Sequence, residues 1–270
     1  MKNFKKILKT LILATLATVT FGLNAAPKIA ISTYPWKKNT FSKMLNDIKD
    51  SDVEGIFAFQ NIKIGGEGAN AETNFSYKMS EAAQKELQAM LDKYNKKIKG
   101  IGHVKLTNPS QIEDMFKFCK KMGIEVMTIE APLEVLKIYD EMAIKYGIDG
   151  GLYNHPQNTA PYQTSAKALE GIKDLKKIKV FPDTGQYGRA KIDIIKSLNE
   201  ITPKNVIAVS LQDLDAKGGC EEFGKGKLPL KDFVSTLNKA GFDGYYIVMF
   251  ASLPQAAKVL PSVEYLKSIK

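Results

Sequence analysis

From Lys28 to the C-terminus, short apolar runs alternate with longer stretches in which apolar residues recur every three or four positions, without a long linker or a low-complexity segment. Eight of the short runs predict strands: Lys28 to Tyr34, Val53 to Phe59, Ile98 to Val104, Glu125 to Ile129, Gly150 to Asn154, Lys179 to Phe181, Asn205 to Leu211 and Gly244 to Phe250. Most have few alternating polar residues, as expected of strands covered on both faces. The stretches between them read as amphipathic helices. Ile112, Met115, Phe116 and Cys119 fall at i, i+3, i+4 and i+7, with Asn108 and Pro109 as N-cap and first-turn proline and Gly123 as the stop. The same spacing recurs at Leu87, Met90, Leu91 and Tyr94, and at Leu230, Phe233, Val234 and Leu237 before Gly241. Eight such βα units form an α/β fold that either closes into a single (β/α)8 TIM barrel or lies open as a doubly wound sheet, and the barrel is the favoured reading.

The first residues follow a different pattern. Lys2, Lys5, Lys6 and Lys9 precede an apolar stretch from Leu11 to Leu23, and the small residues Ala25 and Ala26 come next. This predicts a secretory signal peptide over residues 1–25, cut after Ala25 because Pro27 disfavours a cut after Ala26. The apolar part is too short to span a bilayer, and no nearby Cys could take a lipid, so no stable membrane anchor is expected and the protein should be periplasmic or extracellular. One barrel domain would then occupy residues 26–270, a length that suits one α/β barrel.

The formal charge of +10 falls to +6 once the four leader lysines are removed. The remaining lysines are scattered over helical stretches, which reads as solvated helix faces and gives no support to nucleic-acid binding. Two cysteines allow one disulfide in an exported chain, but Cys119 lies on an apolar stripe and Cys220 in a Gly-rich loop, which favours a buried free thiol at Cys119.

In a barrel, chemistry gathers at the C-terminal ends of the strands. Those ends carry Tyr34, Trp36 and Gln60, then His103, Lys105 and Glu130, then Tyr153, Asn154 and His155, and finally Asp183, Ser210, Asp213 and Met249. His103 and Lys105 alternate along a strand end and so share a face, offering a proton carrier and a cation, or two rim residues. Glu130 sits where a barrel carboxylate could reach a substrate. Trp36, the only tryptophan, would stack on a sugar ring or pack in the core. The loop from Gly218 to Lys227 does not have Walker A spacing.

Several of these ends also carry short motifs in a fixed order: STYPW from Ser32, IFAFQNIKIGG from Ile56, YNHP from Tyr153, DTGQYGRA from Asp183, SLQD from Ser210, FGKG from Phe223 and IVMF from Ile247. In this order the chain resembles the xylose-isomerase-like sugar phosphate isomerase/epimerase family over nearly all of residues 26–270. The resemblance implies a TIM barrel and a divalent cation that polarises a sugar carbonyl while a proton moves between neighbouring carbons. The family's cation ligands map onto Tyr153, Asp183, Ser210 and Met249, and of these only Asp183 is a good ligand for a hard cation. No cofactor is therefore expected. A divalent metal (Mn, Mg or Zn) would enter only through an altered site built from His155, Asn154, Glu130 and Asp183.

Two readings follow. In the first, the chain is an isomerase/epimerase-like protein with a carbohydrate or polyol pocket at the mouth and impaired metal-assisted proton transfer. Its acid/base candidates are Glu130, His155, Asp183 and Lys105, and its substrate-binding candidates are Trp36, His103, Asn154, Gln186, Arg189 and Gln212. In the second, it is a non-catalytic descendant that binds a sugar or a protein partner.

Overall fold

A computed structural model describes residues 27–155, 162–251 and 255–269. The predicted signal peptide lies outside the described residues. All eight predicted strands form: β1 (Lys28–Ser32), β2 (Gly55–Phe59), β3 (Lys97–Val104), β4 (Val126–Ile129), β5 (Asp149–Tyr153), β6 (Ile178–Phe181), β7 (Ala208–Leu211) and, after a two-stranded hairpin of β8 (Asp213–Leu214) and β9 (Cys220–Glu221), β10 (Tyr245–Val248). The barrel strands pair in parallel in the order β6-β5-β4-β3-β2-β1-β10-β7. Parallel bridges Val180↔Val206 and Asp183↔Ser210 join the two ends, with the N–H of Ile207 donating to Val180 O at 3.1 Å and that of Ser210 to Pro182 O at 2.9 Å. The sheet is thus a closed (β/α)8 barrel, and the open doubly wound alternative is excluded. The seam at the mouth runs through Asp183.

The helices follow the predicted stripes. Helix α2 (Glu81–Lys93) buries Ala83, Leu87 and Leu91, and Met90 and Tyr94 pack against the same core. Helix α3 (Pro109–Lys121) buries Ile112, Met115, Phe116, Phe118 and Cys119, with Asn108 accepting from the N–H groups of Ser110 and Gln111. Helix α8 (Leu230–Lys239) buries Leu230, Phe233, Val234 and Leu237. Gly123 and Gly241 have φ of +68° and +73°, the left-handed conformation that ends a helix at little cost for glycine. Each fully buried large side chain in this outer layer contributes about 1.5–3 kcal/mol. No helix among the described residues is long and apolar enough to cross a membrane.

Inside the barrel, Ala30, Phe57, Val126, Tyr153, Phe181, Ala208 and Ile247 form a second apolar cluster. Its volume is tuned at Gly100, where an added Cβ would come within 1.8 Å of the Phe57 ring. This cluster closes the barrel below its mouth and leaves the polar residues at the strand ends above it.

Candidate functional site

Asp183 is completely buried and follows β6 as the N-cap of the short helix α6 (Thr184–Arg189). Its carboxylate is heavily hydrogen bonded. Oδ1 accepts the Gln186 N–H at 2.9 Å, Oδ2 accepts the Tyr153 hydroxyl at 2.8 Å, and the Gln212 side-chain amide lies 2.8 Å from both oxygens. Burial and the neighbouring Asp183 carboxylate hold the Tyr153 phenol well above its ordinary pKa, so it stays protonated and donates. Gln212 is held in turn: its Oε1 accepts from Arg189 Nη2 at 3.0 Å and lies 3.2 Å from Cys220 Sγ. Arg189 also donates from Nε to Gly218 O at 3.2 Å. Gly185 makes room for this arrangement, since a Cβ there would sit 2.7 Å from Gln212 Cβ.

Asn154 fixes the Asp183 backbone, accepting its N–H at 2.6 Å and donating to its carbonyl at 3.2 Å. Asp213, the buried first residue of β8, receives the N–H groups of Leu214, Gly224, Gly226 and Leu228 at 2.9–3.1 Å. Its carboxylate therefore organises the glycine turn and faces inward upon the loop.

A second cluster lies at the ends of β3 and β4. Glu130 is buried, with its Oε2 2.5 Å from Lys105 Nζ and its Oε1 3.4 Å from His103 Nδ1. His103 packs between Phe59, at a ring distance of 4.8 Å, and Tyr153, at 4.0 Å. Burial first, then His155 and Lys105, pushes the His103 pKa down to about 3, so the ring is neutral and its approach to Glu130 is not an ion pair. His155 stacks near Tyr153 at 6.2 Å.

The structure thus joins Asp183, Tyr153, Asn154, Gln186, Gln212 and Arg189 into one network, and His103, Lys105 and Glu130 into another. It departs from expectation at Trp36, which is 1% exposed and donates its indole N–H to Asp47 at 2.9 Å. Its faces pack in the core, so it cannot stack on a ligand at the mouth. Arg189, the last residue of α6, spends its described hydrogen bonds on protein acceptors. Ser210 and Met249 are buried at 4% and 3% exposure and supply a hydroxyl and a thioether at the mapped positions. The altered metal site is not assembled: Asn154 is committed to the Asp183 backbone, Glu130 to Lys105, and no group of three or more His, Cys, Asp or Glu among the described residues could hold a metal ion. Cys119 and Cys220 are both buried and free, so the disulfide alternative falls away.

Comparison with known proteins agrees with this architecture. The model of the xylose isomerase-like TIM barrel family matches residues 62–269. The chain belongs to that family. Among solved structures, an uncharacterised protein from Parabacteroides distasonis is 22% identical, with a TM-score of 0.74 over 91% of this chain and 100% of that one. A D-tagatose 3-epimerase-like protein is 17% identical, with a TM-score of 0.69 over 90% and 96%. A xylose isomerase-like TIM barrel protein from Mycobacterium smegmatis, in complex with magnesium, is 11% identical, with a TM-score of 0.72 over 91% and 97%. At these identities the likeness concerns the fold. Among curated proteins, none matches.

The family's cation does not fit the residues present here. Asp183 already spends both oxygens on protein donors, and its neighbours at the mapped positions are a phenol, a hydroxyl and a thioether. The residue that reaches Asp183 across the seam is Gln212, two positions beyond Ser210. Gln212 lies one residue past the end of β7, where strand alternation gives no sequence signal for this contact.

Proposed function

We propose that this chain is a carbohydrate- or polyol-binding member of the xylose isomerase-like family in which metal-assisted proton transfer has been replaced by a protein-only hydrogen-bond network. The ligand would sit at the C-terminal mouth of the barrel. The observation that carries this reading is the saturation of Asp183 by Tyr153, Gln186 and Gln212. Uncharged donors take the place that a cation would need, and Arg189 supplies positive charge one side chain away through the Gln212 amide. The proposal extends to export: the pattern of residues 2–25 supports a cleaved leader and a periplasmic or extracellular domain from residue 26.

Metal analysis of purified protein, paired with thermal shift against neutral ketoses, aldoses and polyols, tests the reading. Less than a tenth of an equivalent of Mn, Mg or Zn, together with sugar-dependent stabilisation, is expected. Stoichiometric metal that disappears in Asp183→Ala would sink it. N-terminal sequencing of the exported protein checks the cut after Ala25.

A further inference from the structure

On the outer surface of the barrel, away from the mouth, a groove of about 1040 Å³ lies between helix α4 (Leu136–Tyr146) and helix α5 (Ser165–Ile172) with its connection to β6. Leu133 and Ile144 line it, at 52% and 49% exposure, and they are the large apolar side chains exposed among the described residues. One exposed apolar side chain needs no explanation, but two on a single groove mark a contact surface. The charges beside them are left over as well. Lys137 and Glu141 on α4, and Asp174 and Lys176 after α5, line the groove, and none of the four makes an ion pair among the described residues. Toward α3, by contrast, Lys145 of the same helix pairs with Glu113 at 2.6 Å. Lys137 also stands in the first turn of α4, where the positive end of the helix dipole disfavours a cation. The two sides of the groove run in the same direction. The Asp140 carboxylate accepts the N–H groups of Lys176 and Lys177 at 2.9 and 2.6 Å, and an added Cβ on Gly171 would come within 3.0 Å of Leu133. Gly171 is therefore level with Leu133, and Lys176 with Asp140.

We propose that this groove is the two-fold contact of a homodimer, with the symmetry axis crossing α4 at right angles at the level of Ile138 and Tyr139. A patch that pairs with its own copy must be self-complementary about such an axis. Turned end for end, the groove brings Leu133 against the partner's Ile144 and Ile144 against the partner's Leu133. Lys137 then faces the partner's Glu141, and Asp174 faces the partner's Lys176, each pair occurring twice. The first turn of α4 meets the C-terminal part of the partner's α4, so the dipole that disfavours Lys137 within one chain is offset across the contact. An axis parallel to α4 would lay Leu133 and Ile144 against the α5 side of the partner and keep the apolar side chains apart. The lining holds four lysines and four carboxylates, so it has no net charge to draw a nucleic acid or an anionic membrane. The occupant that fits both the apolar and the charged positions is a second copy of this chain.

A contact confined to one groove lies at the low end of interface size, so a micromolar Kd is expected. Sedimentation equilibrium of the purified protein, from micromolar to submillimolar concentration, measures it. Ile144→Asp puts a charge into both apolar pairs and should raise the Kd by about 10-fold or more. Lys137→Glu and Glu141→Lys should each raise it by about 3-fold or more, and the chain carrying both should return to within about 3-fold of the parent, because the two reversals restore opposite charges across this axis. All three positions are exposed, so the variants leave the core intact. A protein that stays monomeric over the whole range overturns the second copy as occupant. A dimer that Ile144→Asp does not weaken, or a double reversal as weak as the two single changes combined, overturns the contact proposed here.

Discussion

Replacing Gln212 by Glu changes one NH2 group into an oxygen and leaves the shape of the side chain intact, so its effect isolates the electrostatics of the Asp183 site. The amide nitrogen lies 2.8 Å from both Asp183 oxygens. In the variant two carboxylates would meet there. At an effective dielectric constant of 20, two like charges 4 Å apart already repel by about 4 kcal/mol. The pair can escape by holding one proton, which at pH 7 costs about 3.7 kcal/mol against an ordinary Glu pKa of ~4.3. Arg189, 3.0 Å from the Gln212 oxygen, offsets part of this. A destabilisation of about 2–4 kcal/mol at pH 7 is expected, equal to a Tm loss of about 4–16 °C for a domain of this size. The sign with pH is fixed. The folded pair has a raised pKa and holds a proton that the unfolded chain releases, so the variant's deficit grows as pH rises above ~4.3 and shrinks on acidification. Thermal denaturation of parent and Gln212→Glu at pH 7.5 and pH 5 reads this directly. A Tm difference that is the same at both pH values refutes the contact between Gln212 and Asp183.

Three further outcomes are expected. Tyr153→Glu, Ser210→His and Met249→Glu together restore ligands at the mapped positions, and Mn2+ at 100 times its Kd should then stabilise the variant by about 2.7 kcal/mol relative to EDTA; a Tm indifferent to Mn2+ argues against the mapping. The His103 ring, with its pKa near 3, should show no titration by NMR between pH 5 and 8. Because this folded pKa lies below the unfolded value, its effect is absent above pH ~6.5 and costs stability as pH falls below that, at up to about 1.4 kcal/mol per pH unit. Asp213→Ala removes the carboxylate that gathers four backbone N–H groups and should cost about 1–3 kcal/mol for each one left without a partner; trypsin should cut at Lys217 or Lys225 faster than in the parent, and an unchanged digest would show that Asp213 does not hold this loop.

The strands were legible because burial on both faces leaves uninterrupted apolar runs, and the observed ends differ from the predicted ones by at most a few residues, as where Lys28–Ser32 replaces a run to Tyr34. Helix stripes were equally plain at Ile112, Met115, Phe116 and Cys119. Two features were not legible. The hairpin of β8 and β9 has only two residues per strand, below the length at which a period shows, and depends on buried Asp213 and on Asp215, which accepts the N–H groups of Lys217 and Gly219. The partner of Asp183 was the other. Family mapping pointed to Ser210, but the contact belongs to Gln212, because an amide needs a long side chain to cross the seam and a gap at Gly185 to pass through. Trp36 shows the limit of reading one residue by its type: its place after Pro35 fits a mouth or a core, and its bond to Asp47 decides for the core.

The Gln212 amide has one permitted orientation, since turning it over would press its oxygen against Asp183 and its NH2 against the Arg189 guanidinium. It therefore acts as a ratchet. A lone carboxylate placed at Tyr153 or Met249 would add charge beside the buried Asp183, and a cationic side chain in place of Gln212 would remove one of the acceptors of Arg189. Each such single substitution is expected to cost stability, so the hydrogen-bond arrangement around Asp183 resists change one residue at a time.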